Sequence, residues 1–445
     1  MLPPGPKAPV AVQTYEWVAR PTALLRRCQA RYGEPFTLRT AWADAPVVLV
    51  SDPAEVRRVF TADPEVVRAG ASSTFLEPFA GSHSILVLDG AEHLRQRRLM
   101  LPPFHGERTH AHRALVGEIA SAEVARWAPG RALRTHPRMQ SVTLEVMMRA
   151  VFGLRAGAEL DHVRAAIRRA LDMTTSVPRL VAMSLAQRDL GARSPWGAFR
   201  RAVDEVDVLL DEVIARARLR PDEGSILSML LAARHEDGSP PADEELRDQL
   251  VTLLAAGHET TAGSLAWALE RLARHPAILA RLRDELAAGE DGYLDAVVKE
   301  VLRTRPVLSI ASRKLAAPFA LGGWELPAGV HVAPCIYLTH RRPELYPEPL
   351  AFRPERFEEA APDPYAWIPF GGGIRRCLGA AFATMEMKEV LRVVVARVDL
   401  RPARPGSERM RRRTVTLTPA RGGIVVPQSL RSTGPRCRSS AATTA

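Results

Sequence analysis

The sequence predicts a mainly α-helical protein, one domain over residues 1–430 with a small β-rich part, and three observations carry that reading. Apolar residues recur at helical spacing from Ala91 to Arg303 with few breaks. One stretch holds the pattern without a proline from Asp243 to His275, where Pro276 ends it; at 1.5 Å per residue it predicts a helix roughly 50 Å long. After Pro306 the pattern gives way to short β-rich runs joined by glycine turns. A compact chain of this length is about 60 Å across, so the long helix must cross nearly the whole molecule.

Each element has a local reason. Residues 1–12 form an extended lead-in stiffened by Pro3, Pro4 and Pro6. Two β-rich runs, Phe36–Arg39 and Val47–Val50, flank the turn-forming Ala43-Asp44-Ala45-Pro46. Asp52 followed by Pro53 marks a helix start, with the carboxylate as N-cap and proline at the first position. Residues 70–90 lack a helical period and carry Gly70, Pro78, Gly81 and Gly90, the composition of a long functional loop. Breaks in the helical region fall at Pro102-Pro103, Pro129-Gly130, Gly153, Gly191–Pro195 and Asp237–Pro241. Asp243-Glu244-Glu245 suits the positive end of the long helix. Short strands lie between Phe319 and Val332, and residues 341–376 read as irregular but packed coil. A helix resumes over Leu378–Val398, and a hairpin pairs Arg413–Leu417 with Ile424–Val426. Residues 431–445 are small, polar and basic, the composition of a disordered tail.

Composition narrows the function. The net charge of +11 comes almost entirely from arginine, the only lysines being Lys7, Lys299, Lys314 and Lys388. The arginines are scattered along helical segments rather than gathered into a stripe with interleaved aromatics, so no nucleic-acid partner is expected. A basic face for an acidic protein partner fits better. The four cysteines, Cys28, Cys335, Cys377 and Cys437, include no CxxC pair, and so few in a long chain suit a reducing cytoplasm. Cys28 and Cys335 read as small buried hydrophobes and Cys437 as a tail residue. With no apolar segment behind Met1 and no apolar run of about 18 residues, a soluble, cytoplasmic monomer without a membrane span is expected.

Chemistry concentrates at Cys377, in Phe370-Gly371-Gly372-Gly373-Ile374-Arg375-Arg376-Cys377-Leu378-Gly379. Three consecutive glycines let the backbone approach something flat and fold back sharply. The cysteine falls just before a helix start, where unpaired N–H groups favour a thiolate. Such a sulfur suits an axial haem ligand that pushes electron density to iron and favours O–O cleavage, with Arg375 as a cation for a propionate. On this segment alone, a structural cysteine in a glycine-rich turn remains the other reading.

The long helix carries Ala256-Gly257-His258-Glu259-Thr260-Thr261. Thr260 can bond back to the carbonyl of Ala256 and widen the helix into a groove, with Gly257 removing bulk beside it. A diatomic ligand would fit there, with Thr260 as donor and Glu259 feeding protons from solvent. A glycine-kinked core helix with a wet face explains the same residues. Glu300 and Arg303 lie three apart on one helical face; most such pairs are solvated, but Arg356 downstream can join them in a buried network that fixes the coil before Cys377. His93 and Arg97 share a face and can reach propionates, although a plain amphipathic helix would also place them so.

These segments, in this order, resemble the cytochrome P-450 family from about Pro3 to Pro427. Phe370, Gly373, Arg375, Cys377 and Gly379 match its haem-binding signature, and Ala256 to Thr261 its oxygen-activation motif. Glu300, Arg303 and Arg356 resemble its structural triad, and Arg313 stands where the family often has a propionate-binding arginine. Many members have tryptophan where His93 stands; histidine is common in bacterial relatives and suits a propionate equally.

The resemblance implies a triangular helical prism with haem b between the long helix and the helix after Cys377. Cofactor contacts would come from His93, Arg97, Ala256, Arg313, Phe370, Gly371, Arg375, Cys377 and Gly379, with Cys377 as the iron ligand. Glu259 and Thr260 would be the catalytic residues. Electrons would arrive from a separate ferredoxin and ferredoxin reductase, docked on the basic surface around Arg375 and Arg376.

The activity implied is insertion of one oxygen atom from O2 into a small apolar substrate. A peroxide-driven peroxygenase is the alternative enzyme, against which Glu259-Thr260 counts; a non-catalytic haem-thiolate gas or redox sensor is the alternative of another class, lacking a visible output domain. The substrate pocket is expected to be lined by Phe75, Leu76, Phe79, Leu253, Leu308 and Ile310, Ala256 and the segment near residues 174–190. Their apolar character suits a lipid, terpenoid, polyketide or aromatic molecule.

Overall fold

The computed structural model describes residues 1–41, 43–154, 157–174, 194–221 and 224–430. The chain opens with α1 (Val10–Ala19) and α2 (Pro21–Tyr32), so the extended lead-in ends at Pro9 rather than residue 12. Strands β1 (Phe36–Leu38) and β2 (Val47–Val50) form an antiparallel pair. Helix α3 (Pro53–Thr61) begins where expected, Asp52 accepting from the backbone N–H of Ala54 and Glu55. Beyond β3 (Val67–Arg68), residues 70–90 are not a uniform loop. They contain a short helical turn at Glu77–Ala80, in which Pro78 takes an early position where its missing N–H costs nothing.

Helices follow: α4 (Gly90–Met100), α5 (Arg113–Val124) and, after β4 (Leu133–Arg134), α6 (Thr135–Val146). A π-helical turn, Met147–Val151, continues α6, a feature that periodicity does not reveal. Next come α7 (Ala158–Thr174), α8 (Pro195–Leu219), α9 (Ile226–Ala232) and the long α10 (Asp243–Arg274). The chain continues through α11 (Pro276–Ala287) and α12 (Gly292–Thr304).

Strands β5 (Arg313–Leu315), β6 (Phe319–Leu321), β7 (Trp324–Leu326) and β8 (His331–Pro334) come next. A five-stranded sheet has the order β1-β2-β8-β5-β3, with β2 and β8 parallel, while β6 and β7 form a hairpin. Helix α13 (Ala380–Arg397) leads into β9 (Val398–Pro402), β10 (Met410–Arg413), β11 (Thr416–Pro419) and β12 (Ile424–Ser429).

The terminal hairpin is therefore corrected. Its arms are β10 and β11, and β12 instead pairs with β9 and β4 in another sheet. The run that looked like one strand turns at Thr414, whose φ of 56° reverses the chain without a glycine.

The 32-residue α10 packs against α6, α8, α13 and β11, and spans roughly 48 Å. Every residue from Thr261 to Ala273 is buried, the ion-paired Glu270 and Arg271 included. Burial is interrupted between Leu253 and Thr260, where Ala256 is exposed and Gly257, Glu259 and Thr260 are only half-buried. No helix among the described residues is long and apolar enough to cross a membrane. Cys28 and Cys335 are buried as expected, while Cys437 and the expected tail lie outside the described residues.

Candidate active site

The Cys377 loop is shaped by its contact with α3. Gly373 has a φ of 62°, and a Cβ on it would lie 1.9 Å from the carbonyl oxygen of Phe60. A Cβ on Gly372 would lie 2.4 Å from the Phe60 ring. The close approach that demands these two glycines is thus to α3, whereas Gly371, at a φ of 67°, supplies a turn.

The loop closes on itself through the Cys377 N–H, which donates to the Phe370 carbonyl at 2.9 Å. Cys377 lies ahead of α13 and is exposed along one side, yet enough protein surrounds it that burial pushes the thiol pKa up. The Gly379 N–H, Arg376 and Arg97 pull the other way and favour the thiolate.

Four basic side chains from three segments, α4, β5 and the loop itself, gather here. Burial, then the charges of Arg375, Arg97 and Arg313, push His93 of α4 down to about 3. Its Nδ1 is buried and has no hydrogen-bond partner. Arg97, one turn further along α4, donates to the carbonyl of Arg376 at 2.8 Å. Arg313 of β5 donates to the Ser312 carbonyl, and burial followed by repulsion from Arg375 lowers it to about 10.

Arg375 bonds Asp89 at 2.6 Å and the carbonyls of Ile85 and Leu88, and burial lowers it to about 10. It is turned inward, so it does not belong to the outer basic surface expected of it; Arg376 does. Asp89 does not stand out among the sequence motifs, although Asp89-Gly90 immediately before a helical run is a helix-start signal. An unpartnered buried imidazole nitrogen and three arginines, with Asp89 bonded to Arg375 alone among them, suit a ligand with its own carboxylates. A thiolate at Cys377 suits its iron. The residues present fit a haem.

On α10, Thr260 Oγ1 donates to the Ala256 carbonyl at 2.5 Å, in a helix that continues without a break or π-turn. The expected widening is absent. Gly257 does not open the groove either: a Cβ there would lie 3.2 Å from Met147 Sδ, so its small size accommodates the π-turn. Glu259 turns towards α6 and β10. Burial alone would push its carboxyl up, but His136, Arg413 and Gln140 bring it below the usual carboxylate range. Gln140 donates to it at 2.7 Å.

Glu300 and Arg303 are fully buried, joined by two bonds of 2.6 and 2.7 Å, and Arg356 Nε reaches Glu300 at 3.4 Å. Arg303 also donates to the carbonyls of His340, Pro349 and Ala351, which ties α12 to the coil leading to Cys377.

The expected pocket residues are dispersed. Phe75 is 55% exposed, Leu76 is half-buried, and Phe79 stacks near Phe199 at 6.4 Å. Leu253 is half-buried on α10 and packs against the main core. Leu308 rests with Val56 and Phe60, and Ile310 with the Trp17 cluster. Residues 175–190 of the predicted pocket segment lie outside the described residues. A hollow of about 390 Å³ opens on the other flank of the Cys377 loop, lined by Trp367, Phe370, Arg376, His110, Arg113 and Lys388.

The family model for Cytochrome P450 matches residues 3–426. The chain is 42% identical over 434 residues to cytochrome P450 135B1 of Mycobacterium tuberculosis, covering 95% of this chain and 91% of that one. It is 40% identical over 429 residues to cytochrome P450 138 of the same organism, covering 96% of each. Among solved structures, the retinoic acid-bound cyanobacterial CYP120A1 superposes with a TM-score of 0.81 at 26% identity, covering 97% of this chain and all of that one. The haem domain of cytochrome P450DA gives 0.82 at 24% identity, covering 97% of each, a likeness of fold.

Proposed function

The chain belongs to the cytochrome P450 family, a haem-thiolate monooxygenase with the mainly α fold of that family, and from this premise we propose that it oxygenates a small apolar substrate with electrons from ferredoxin and ferredoxin reductase. When bound, the haem supplies activation of O2 with two electrons, one oxygen atom entering the substrate and the other leaving as water. The observation that carries the site assignment is the convergence of His93, Arg97, Arg313 and Arg375 beside Cys377. In this reading Cys377 ligates the iron, and the four basic groups hold the propionates, His93 through its unpartnered Nδ1. Ala256, Phe370, Gly371 and Gly379 border the cofactor.

Thr260 and Glu259 form the proton-handling side. Glu259 is kept ionised among His136, Gln140 and Arg413, ready to accept a proton from the solvent side. Thr260 orients its hydroxyl from the unburied stretch of α10. Glu300, Arg303 and Arg356 fix the coil that positions the cysteine loop.

The partner site is assigned to the hollow bordered by Arg376, Lys388 and His110, which carries positive charge next to the loop and suits an acidic ferredoxin. Residues 1–430 serve as one catalytic domain, acting as a cytoplasmic monomer. An apolar substrate is supported by Phe79 and Leu253, and by the retinoic acid held in the cyanobacterial relative.

Cys377→Ala tests the assignment. The variant is expected to lose the red-shifted Soret band of the reduced, CO-bound form. Retention of that band would refute Cys377 as ligand. A library of apolar compounds, retinoic acid included, read by the Soret blue shift that accompanies loss of the distal water, then defines the substrate class.

A further inference from the structure

Glu259 is met by side chains that sequence spacing does not bring near it. His136 and Gln140 reach it from α6, one helical turn apart, and Arg413 from β10. Gln140 satisfies Oε2 at 2.7 Å. Oε1 lies 3.4 Å from His136 Nε2 and 3.6 Å from Arg413 Nε, and is without a well-formed hydrogen bond. His136 Nε2 is likewise buried and unbonded, and the residue is only 4% exposed. A buried polar atom left unbonded costs about 1–3 kcal/mol, so two that face one another make poor structural glue. The same spacing suits proton exchange, because a small side-chain rotation closes it to bonding distance.

The surroundings hold Glu259 ionised between turnovers, as the acceptor of a proton. His136 lies in the first turn of α6, whose positive end favours the Glu259 carboxylate beside it. Arg413 adds a second positive charge beside that carboxylate. The next residues of α6, Pro137 and Arg138, are exposed, so bulk water is one residue from the imidazole.

His258, adjacent to Glu259 on α10, in turn feels the charge of Arg168 on α7. His258 accepts or donates through Nδ1 to Thr143 Oγ1 at 2.8 Å, and burial pushes it down to about 4, so it stays neutral and does not compete for the proton.

We propose that His136 is the positioning residue that reloads Glu259 with protons. In the step, the Nε2–H bond of the imidazolium breaks as Oε1–H forms on Glu259, leaving neutral imidazole. Nε2, the nitrogen left bare, then regains a proton from hydronium that enters past the Pro137–Arg138 surface, leaving water and restoring the imidazolium. This rests on the reading of Glu259 as the proton carrier for Thr260.

Two measurements on the holoprotein test it. The first follows the pH dependence of NAD(P)H oxidation, with surrogate ferredoxin and reductase, in unmodified protein, His136→Gln and Glu259→Gln. Flattening of the profile between roughly pH 5 and 8 in both variants is expected, with the CO-bound band unchanged. Flattening in Glu259→Gln alone would overturn the role of His136; no change in either would also overturn that of Glu259. The second needs no His136 variant: NMR titration of the histidines is expected to show the His136 midpoint falling in Glu259→Gln. An unmoved midpoint would overturn the proposal.

Discussion

Arg303 donates from Nε and Nη2 to both oxygens of Glu300, at 2.6 and 2.7 Å, and neither side chain has any exposed surface. The pair is isolated from water, so its geometry rather than screening decides its strength. Its remaining donors fasten three carbonyls of residues 340–351, which makes it a clamp between α12 and the coil before Cys377.

Arg303→Met removes the cation and leaves Glu300 as a buried charge that, among the described residues, faces Arg356 at 3.4 Å and the Arg353 N–H at 2.9 Å. A loss of about 3–5 kcal/mol is expected. Urea denaturation measures it, and haem occupancy, read from the Soret absorbance per chain, is expected to fall in parallel.

Gly373→Ala tests the contact between the cysteine loop and α3. The new Cβ would meet the Phe60 carbonyl at 1.9 Å in a backbone with a φ of 62°, so the loop must shift. We expect haem occupancy and the CO-bound band to fall sharply although Cys377 is untouched. Gly117→Ala on α5, where nothing lies within 4 Å of the added carbon, is expected to retain more haem. Equal occupancy in the two variants would show that the approach to Phe60 does not shape the site.

Much of this arrangement was legible in the residues, for reasons of chain physics. The absence of proline from Asp243 to His275 marked α10, and the polar Gly257-His258-Glu259-Thr260 interrupts its apolar sequence where burial is interrupted. Asp52-Pro53 gave the start of α3 because cap chemistry is local. The β10–β11 turn was hidden because Thr414 adopts a positive φ inside a run of strand-forming residues. The environment of Glu259 was illegible for another reason: His136, Gln140 and Arg413 come from segments that meet only when α6 and the β10–β11 hairpin, through β11, pack on α10. Sequence spacing reports neighbours along one helix and carries no record of that packing.

Thr260→Ala removes the hydroxyl that bonds the Ala256 carbonyl but leaves the helix intact, since a helix does not depend on that side-chain bond. Haem binding is expected to survive. Proton delivery is expected to suffer, and loss of a positioned acid–base group is worth about 10²–10⁴-fold. Reducing equivalents should then appear as peroxide. The measurement is the ratio of product to NAD(P)H consumed, against peroxide formed; undiminished coupling would count against the role of Thr260.

Glu386 provides a prediction about stability. It lies on α13 at 2% exposure, and its Oε1 has no hydrogen-bond partner. Burial raises its pKa from 4.5 to about 8. The folded chain therefore holds a proton that the unfolded chain releases above about pH 4.5. Stability falls as pH rises from there to about 8, where the folded carboxyl also ionises. Glu386→Gln keeps the shape and abolishes the titration. At pH 5 the variant and the unmodified protein are expected to be nearly equal in urea. By pH 8 the variant is expected to be more stable by a few kcal/mol, at about 1.4 kcal/mol per pKa unit. A difference that stays constant between the two pH values would mean that Glu386 ionises normally, through a bond or water path that lifts the burial penalty.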